Sequence, residues 1–182
     1  MSAPGRPGGE SPGAPRDGRP SRAPVRSDAE VRGAERRRPE PVEVSSDRSR
    51  IDRALVHAFL SQHTPWARGI DRSRVDRAID ASLCFGVFVD GAQIGFARVI
   101  TDGATFAYLC DVFVEPAFRG RGVARQLMVA IGAHPELQDL RRFALVTSSA
   151  HGLYARFGFT AVAAASNWMD RHRPDVYAGM EQ

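Results

Sequence analysis

The chain has 182 residues, a formal net charge of +4, 43% hydrophobic residues and two cysteines, and its 25 basic residues are all arginine. That length allows one ordinary domain with a sizeable core and argues against two. No apolar run approaches a membrane span, the start lacks the hydrophobic stretch of a secretory signal, and two cysteines make no disulfide framework, so neither a membrane nor a disulfide-scaffolded protein is expected. Buried free thiols at Cys84 and Cys110, both within apolar runs, suit a reducing, cytoplasmic location.

Residues 1–50 hold 8 of the 12 prolines and 11 of the 25 arginines, but no Ile, Leu, Phe, Tyr, Trp or Cys. Such a segment cannot bury enough apolar surface to offset its ordering entropy. Residues 1–41 are therefore expected to be a disordered tail, 42–175 a folded domain and 176–182 a short C-terminal tail. Residues 1–50 carry 11 Arg against 8 acids (+3), and residues 51–182 carry 14 against 13 (+1). A basic tail can touch nucleic acid. Here acids alternate with the arginines and no aromatics are interleaved for stacking, so nucleic acid is not an expected partner except through this tail.

"PVEVSS" (41–46) alternates weakly and reads as a first short strand. "DRSRIDRALVHAFLSQ" (47–62) places Ile51, Leu55 and Phe59 at i, i+4 and i+8 behind the capping candidates Ser46 and Asp47, which predicts an amphipathic helix. After the break "HTPWARG", residues 71–82 predict a shorter helix with Val75 and Ile79 on one face. Three apolar runs over 83–114, separated by Asp90-Gly91 and Asp102-Gly103, predict an antiparallel meander. From Gly122 the period is helical again, through Val123, Leu127 and Ile131, up to His134-Pro135. "RRFALVTS" (141–148) reads as a buried strand, "SAHGLYARFGF" as a short helix closed by Gly158, and "FTAVAAAS" as a further strand. A meander followed by crossovers means an α+β fold with a mixed sheet, its crossover right-handed.

"VEPAFRGRGVARQL" (114–127) thus lies at the seam between a strand end and a helix start. Helix N-termini present unpaired N–H groups and partial positive charge; glycines at 120 and 122 let a ligand approach the backbone, and Arg119 and Arg121 add charge. A Walker loop requires a lysine, so it is excluded; a dinucleotide fingerprint requires glycine where Arg125 stands.

Arg119, Gly122 and Ala124 instead give Arg-x-x-Gly-x-Ala. Here the chain resembles the GNAT acyl-CoA N-acetyltransferase superfamily, whose pyrophosphate loop has this form. "YLCDVFVEPAFRGRGVA" (108–124) is similar to its strand and loop, and "AHGLYARFGF" (150–159) to a second signature about 30 residues downstream. The resemblance covers about residues 42–170.

It implies a three-layer α/β/α fold, with a mostly antiparallel central sheet and a splayed parallel pair, the strands at 109–114 and 143–148. It also implies acetyl transfer from acetyl-CoA to an amine acceptor by direct transfer in a ternary complex, without a metal. Amides of Gly120, Arg121, Gly122, Val123, Ala124 and Arg125, with Arg119, would hold the pyrophosphate. The backbone of Val112, Phe113 and Val114 would face the pantetheine, beside Thr147 and Ala150. A bulge is expected near Asp111. Tyr154 matches the proton donor by position. Cys110 stands where relatives often carry a glutamate base, which leaves the base open among Asp111, Asp102 and Glu115, with Asp111 favoured. Thr147 stands where many relatives place a cofactor-binding Asn. His57 and Trp66, in the region that usually walls the acceptor site, are acceptor-binding candidates. The histidines are too scattered for a metal site. A monomer or a homodimer is compatible with all of this. The alternative is a non-catalytic acyl-CoA-binding or regulatory module with a basic interaction tail.

Overall fold

The computed structural model describes residues 41–178. The expected tail at 1–41 lies almost wholly outside the described residues. Five strands form one sheet in the order β1-β2-β3-β4-β5: Glu43–Ser45, Leu83–Val89, Ala92–Thr101, Phe106–Val114 and Arg142–Leu145. The first four pair antiparallel, and β4 pairs parallel with β5. Helices α1 (Arg53–His63) and α2 (Arg72–Asp80) cover one face, while α3 (Val123–Gly132) and the short α4 (His151–Tyr154) belong to the other. This is the mixed, three-layer α+β arrangement expected.

Strand alternation divides the core. Phe85, Val87, Ala97, Val99 and Leu109 pack against Val123, Leu127 and Ile131 of α3. Cys84, Phe96 and Phe113 pack against Val56, Phe59 and Leu60 of α1 and Val75 and Ile79 of α2. Phe59 stacks on Phe113 with ring centroids 3.9 Å apart, which fastens α1 to the last residues of β4.

The two hairpins differ although both carry Asp-Gly. Asp90 and Gly91 both have positive φ (49° and 81°) and connect Val89 to Ala92 as a two-residue turn whose twist matches that of the strands. The β3–β4 loop is longer, and Asp102 Oδ1 accepts from the amides of Ala104, Thr105 and Phe106. Hydrogen bonds from the Thr105 hydroxyl and these amides hold the Asp102 carboxyl well below the usual carboxylate range. Asp102 thus stands at the opposite end of β4 from Val114, and its candidacy as a base near the site is not sustained by the topology.

Two expectations are corrected. The first helix does not begin behind Asp47: a 3-10 turn at Arg48–Arg50 intervenes, and α1 is capped by Asp52, whose Oδ1 accepts from Ala54 and Leu55 N–H at 2.9 Å each. Ile51 keeps its core position from the extended residue between the two. "FTAVAAAS" is no strand either: residues 159–166 carry turns and the start of a 3-10 turn, and Phe159 anchors them by edge contacts with Phe143 and Tyr154. β5 therefore ends the sheet.

Candidate active site

The seam after β4 takes a definite shape. A 3-10 turn, Pro116–Phe118, follows Glu115, and the chain then enters α3 through Gly120 (φ 73°) and Gly122 (φ 77°). Gly122 is the N-cap and no side chain caps the helix, so the amides of its first turn have neither an intrahelical carbonyl nor a capping oxygen to bond. A Cβ on Gly120 would meet nothing within 4 Å, so backbone handedness rather than crowding requires glycine there. Arg119 Nε donates to the Val114 carbonyl at 2.9 Å, tying the loop to the strand it leaves. The Arg121 guanidinium lies 5.5 Å from the Phe118 ring centroid. Gly120, Gly122 and Arg125 are exposed, and Val123 is buried beneath them. First-turn N–H groups, a helix dipole and the positive charge of Arg119, Arg121 and Arg125 together suit an anion, and a diphosphate fits that chemistry.

β4 and β5 separate just before this seat. Their pairing ends at Leu109↔Leu145, whereas β4 continues to Val114 and the chain after β5 leaves the sheet at the exposed Val146. In the separated part of β4 a bulge occurs: Phe96 pairs with Phe113 and Arg98 with Cys110, so Asp111 and Val112 together oppose Ala97. Asp111 has φ 52°, an uncommon conformation for a residue with a side chain. The extra residue leaves Val112 and Val114 on the α3 side and Phe113 on the α1/α2 side. The expected bulge thus lies at Asp111.

Asp111 lines a cavity of about 210 Å³ between α1, α2 and the sheet. Its Oδ2 accepts from Arg98 Nε at 2.7 Å and its Oδ1 from Trp66 Nε1 at 3.3 Å. Both members of the ion pair are mostly buried, with side chains 15% and 12% exposed. Burial alone would lower Arg98, but the charge and hydrogen bond of Asp111, together with the neighbouring Cys110 and Cys84, offset it, and the guanidinium is held above its usual range. Arg98 Nη1 also donates to Ser82 Oγ at 3.2 Å. Arg98 was missed by sequence reading; the available signal was a lone charge in the apolar run "IGFARVI", on the same strand face as Phe96, where a buried charge requires a partner.

Of the two acceptor-binding candidates, Trp66 lines this cavity and His57 does not. The His57 Nε2–H donates to the Ile70 carbonyl at 3.1 Å, because a carbonyl can only accept, and so ties α1 to the loop before α2. Tyr177, in the segment read as a C-terminal tail, packs against the α1/α2 core and borders the same cavity, with the Arg74 guanidinium 5.8 Å from its ring centroid.

On the other face Tyr154 is buried in the cluster that includes Val114, Val123 and Leu127, the residues flanking the loop. Burial pushes its phenol up. It keeps its proton near neutral pH, as a donor must. Thr147 Oγ1 accepts from the Ala150 amide at 3.0 Å and so caps the turn into α4. Any cofactor contact from Thr147 would be made by the remaining capacity of that hydroxyl. Among the described residues no three or more His, Cys, Asp or Glu side chains form a group able to hold a metal ion.

Cys110 is a free thiol, its Sγ 3.5 Å from the Arg98 carbonyl, and burial, reinforced by Asp111, pushes it up to about 12. Burial pushes Cys84 up to about 11. Neither is poised as a nucleophile, since the thiolate is the reactive form. Both thiols are expected to react with a disulfide reagent at pH 8 at least about a hundredfold slower than free cysteine, buried Cys84 through global unfolding and the partly buried Cys110 through local opening. Their raised values also set a sign for stability. The contribution is full below the ordinary thiol range near 9 and is lost as pH rises toward 11 to 12, because only the unfolded chain releases these protons in that window. Alkaline titration of wild type against Cys110→Ala reads the difference.

Comparison with known proteins follows the same lines. Residues 80–161 match the acetyltransferase (GNAT) domain family. A solved structure of a candidate GNAT-family acetyltransferase from Xanthomonas campestris pv. campestris is 57% identical, with a TM-score of 0.75 over 76% of this chain and 98% of that one. A candidate acetyltransferase of Gibberella zeae is 29% identical over 133 residues, 62% of this chain and 75% of that protein. A predicted acetyltransferase from Clostridium acetobutylicum, solved with acetyl-CoA, shares the fold at 16% identity, with a TM-score of 0.52 over 72% of this chain and 95% of that one. With the bulged, splayed β4, the glycine-entered α3 and a relative of this identity over nearly its whole length, the chain belongs to the GNAT acetyltransferase family.

Proposed function

We propose that this chain is an acetyl-CoA-dependent N-acetyltransferase that transfers the acetyl group directly to a primary amine. The observation that carries the reading is the uncapped, glycine-entered N-terminus of α3 standing at the point where β4 and β5 part. The first feature suits the diphosphate of coenzyme A. The second exposes β4 backbone along which an extended pantetheine arm can lie, as an added strand would. The Val114 carbonyl already accepts from Arg119 but has a second lone pair. Arg119, Gly120, Arg121, Gly122, Val123, Ala124 and Arg125 form the diphosphate seat in this reading, and Val112, Phe113 and Val114 the arm's edge, with Thr147 and Ala150 across the gap.

Attack requires a neutral amine, whereas alkyl amines ionise near pH 10.4. Asp111 is assigned to receive the ammonium and its proton, directly or through one water. Tyr154 is assigned to protonate the departing thiolate. Two protons leave nitrogen: the first passes through Asp111 to solvent and frees the lone pair, and the second, lost as the C–N bond forms, is matched by the one gained at sulfur as the C–S bond breaks, with Tyr154 reprotonated from solvent. The raised phenol supports Tyr154, since a thiolate leaving group is met by an acid that still holds its proton at working pH.

The test is release of free coenzyme A thiol from acetyl-CoA over a panel of amines. Turnover is expected with at least one amine, and Tyr154→Phe is expected to lower kcat by about 10²- to 10³-fold without changing acetyl-CoA affinity. No turnover with any amine despite acetyl-CoA binding would instead favour an acyl-CoA-sensing module.

A further inference from the structure

The cavity between α1, α2 and the sheet contains information about the acceptor that the cofactor seat does not. We propose that it receives the acceptor's body, and that the acceptor is a compact primary monoamine with an apolar aryl or branched-alkyl body; this rests on the transferase reading above.

Size comes first. A dry cavity of about 150 Å³ holds benzene. At about 210 Å³, this cavity takes one ring with a short arm or an alkyl group of similar bulk. An aminoglycoside or a peptide is larger than this space, so most of its body would lie outside it.

The lining decides polarity. Val56, Leu60, Ile70, Val75, Ile79 and Phe96 give it apolar walls, and of the five lining residues that carry polar groups Trp66 and Arg98 both donate to Asp111 while Arg74 pairs with Asp71. A hydroxylated body would have to compete for groups that already hold one another, whereas an apolar body meets the six apolar side chains directly.

Charge decides the number of amines. Asp111 is the single carboxylate in the lining, beside Arg98 and with Arg74 toward Tyr177. Each carboxylate oxygen of Asp111 accepts one hydrogen bond, from Arg98 or Trp66, and retains capacity for another, so one ammonium can be bound. A second ammonium, as in a polyamine, would lie against apolar walls or a guanidinium. Arg74 does not offer a free anion seat in return, because its Nε is 2.8 Å from Asp71 Oδ2 and its guanidinium faces Tyr177. Asp111 sits in the β4 bulge, where the strands have parted, so an amine held there is at the edge of the gap assigned to the thioester arm.

The experiment measures thiol release from acetyl-CoA with 2-phenylethylamine, isoamylamine, spermidine and a peptide with a free N-terminus. The full chain and Ala78→Leu, which adds bulk to the cavity from α2, are compared. Expected are kcat/KM values at least about tenfold higher for the two apolar monoamines than for spermidine or the peptide. Ala78→Leu is expected to raise KM for 2-phenylethylamine about tenfold or more, with kcat for isoamylamine less affected and Tm retained. Binding is read separately as a change in Trp66 fluorescence on adding 2-phenylethylamine in a Trp168→Phe background. Preference for spermidine or the peptide overturns the proposal, as does a KM for 2-phenylethylamine unmoved by Ala78→Leu. Acetyl-CoA binding without transfer to either monoamine does so too, while leaving the cofactor seat standing. Absence of any thermal shift with acetyl-CoA alone sinks the transferase reading itself, and that arm involves no amine.

Discussion

Gly122→Glu is expected to abolish stabilisation by acetyl-CoA while leaving a folded protein. A ligand at a hundred times its Kd that binds only the native state stabilises it by about 2.7 kcal/mol, roughly a 10 °C rise in Tm for a domain of this size. The wild-type shift should be of that order. In the variant, a carboxylate stands at the N-cap where the diphosphate is assigned, so like charge and bulk both oppose binding. The substitution also places a side chain at φ 77°, which costs about 1–2 kcal/mol of stability by itself. Gly122→Ala separates the two effects, since it carries the backbone cost without the charge. The alanine variant should have a lowered Tm that still rises with acetyl-CoA, and the glutamate variant a lowered Tm that does not. A full shift in Gly122→Glu would mean that the diphosphate binds elsewhere.

The Arg98–Asp111 pair should show the second large effect. Removing Arg98 (Arg98→Met) leaves the Asp111 carboxylate, 12% exposed, with the Trp66 indole as its remaining side-chain donor. An uncompensated charge at such a site costs about 3 kcal/mol, whereas replacing both members together is often close to neutral. Arg98→Met and Asp111→Asn should therefore each destabilise in urea, and the double variant should be more stable than the sum of the two losses. A coupling energy of about 2 kcal/mol is expected. Activity should not follow stability. Each variant containing Asp111→Asn should lose about 10²-fold or more in kcat/KM for the amine while retaining the acetyl-CoA thermal shift. Strict additivity in the stability cycle would mean that the two side chains do not form a buried pair in solution.

Local chemistry made much of this legible before any coordinates. The Asp90-Gly91 turn, the return of helical spacing at Gly122 and the closing Gly158 are each set by neighbours a few residues away, because turn handedness and amphipathic period are local properties. The Arg-x-x-Gly-x-Ala seam belongs to the same class: its glycines declare a left-handed backbone entering a helix, and the anion seat follows from that alone. Where sequence reading failed, distant contacts had decided. Ile51 fits a helical stripe with Leu55 and Phe59, yet Asp52, whose amide donates to Gln93 Oε1 at 2.8 Å from 41 residues away, caps the Ala54 and Leu55 amides and starts α1 later, and Ile51 reaches the same core from an extended residue. "FTAVAAAS" has a strand's composition, yet it leaves the outer edge of β5 unpaired, because Phe159 is held by Phe143 and Tyr154 and the chain then goes into a turn and a 3-10 turn at Ala165–Asn167.

The site divides in the same way. Residue order alone placed the glycine–arginine seam along the chain, a short-range pattern of glycine and charge, and resemblance to the family then pointed to the bulge near Asp111 and to Tyr154. Only the tertiary structure decided what Asp111 faces. Arg98 is 13 residues away and Trp66 is 45, and a third contributor, Tyr177, comes from the far end of the chain to border the same cavity. Packing of two helices against one sheet face closes that space, and no local rule of sequence encodes which side chains will line a gap between elements that meet only on folding.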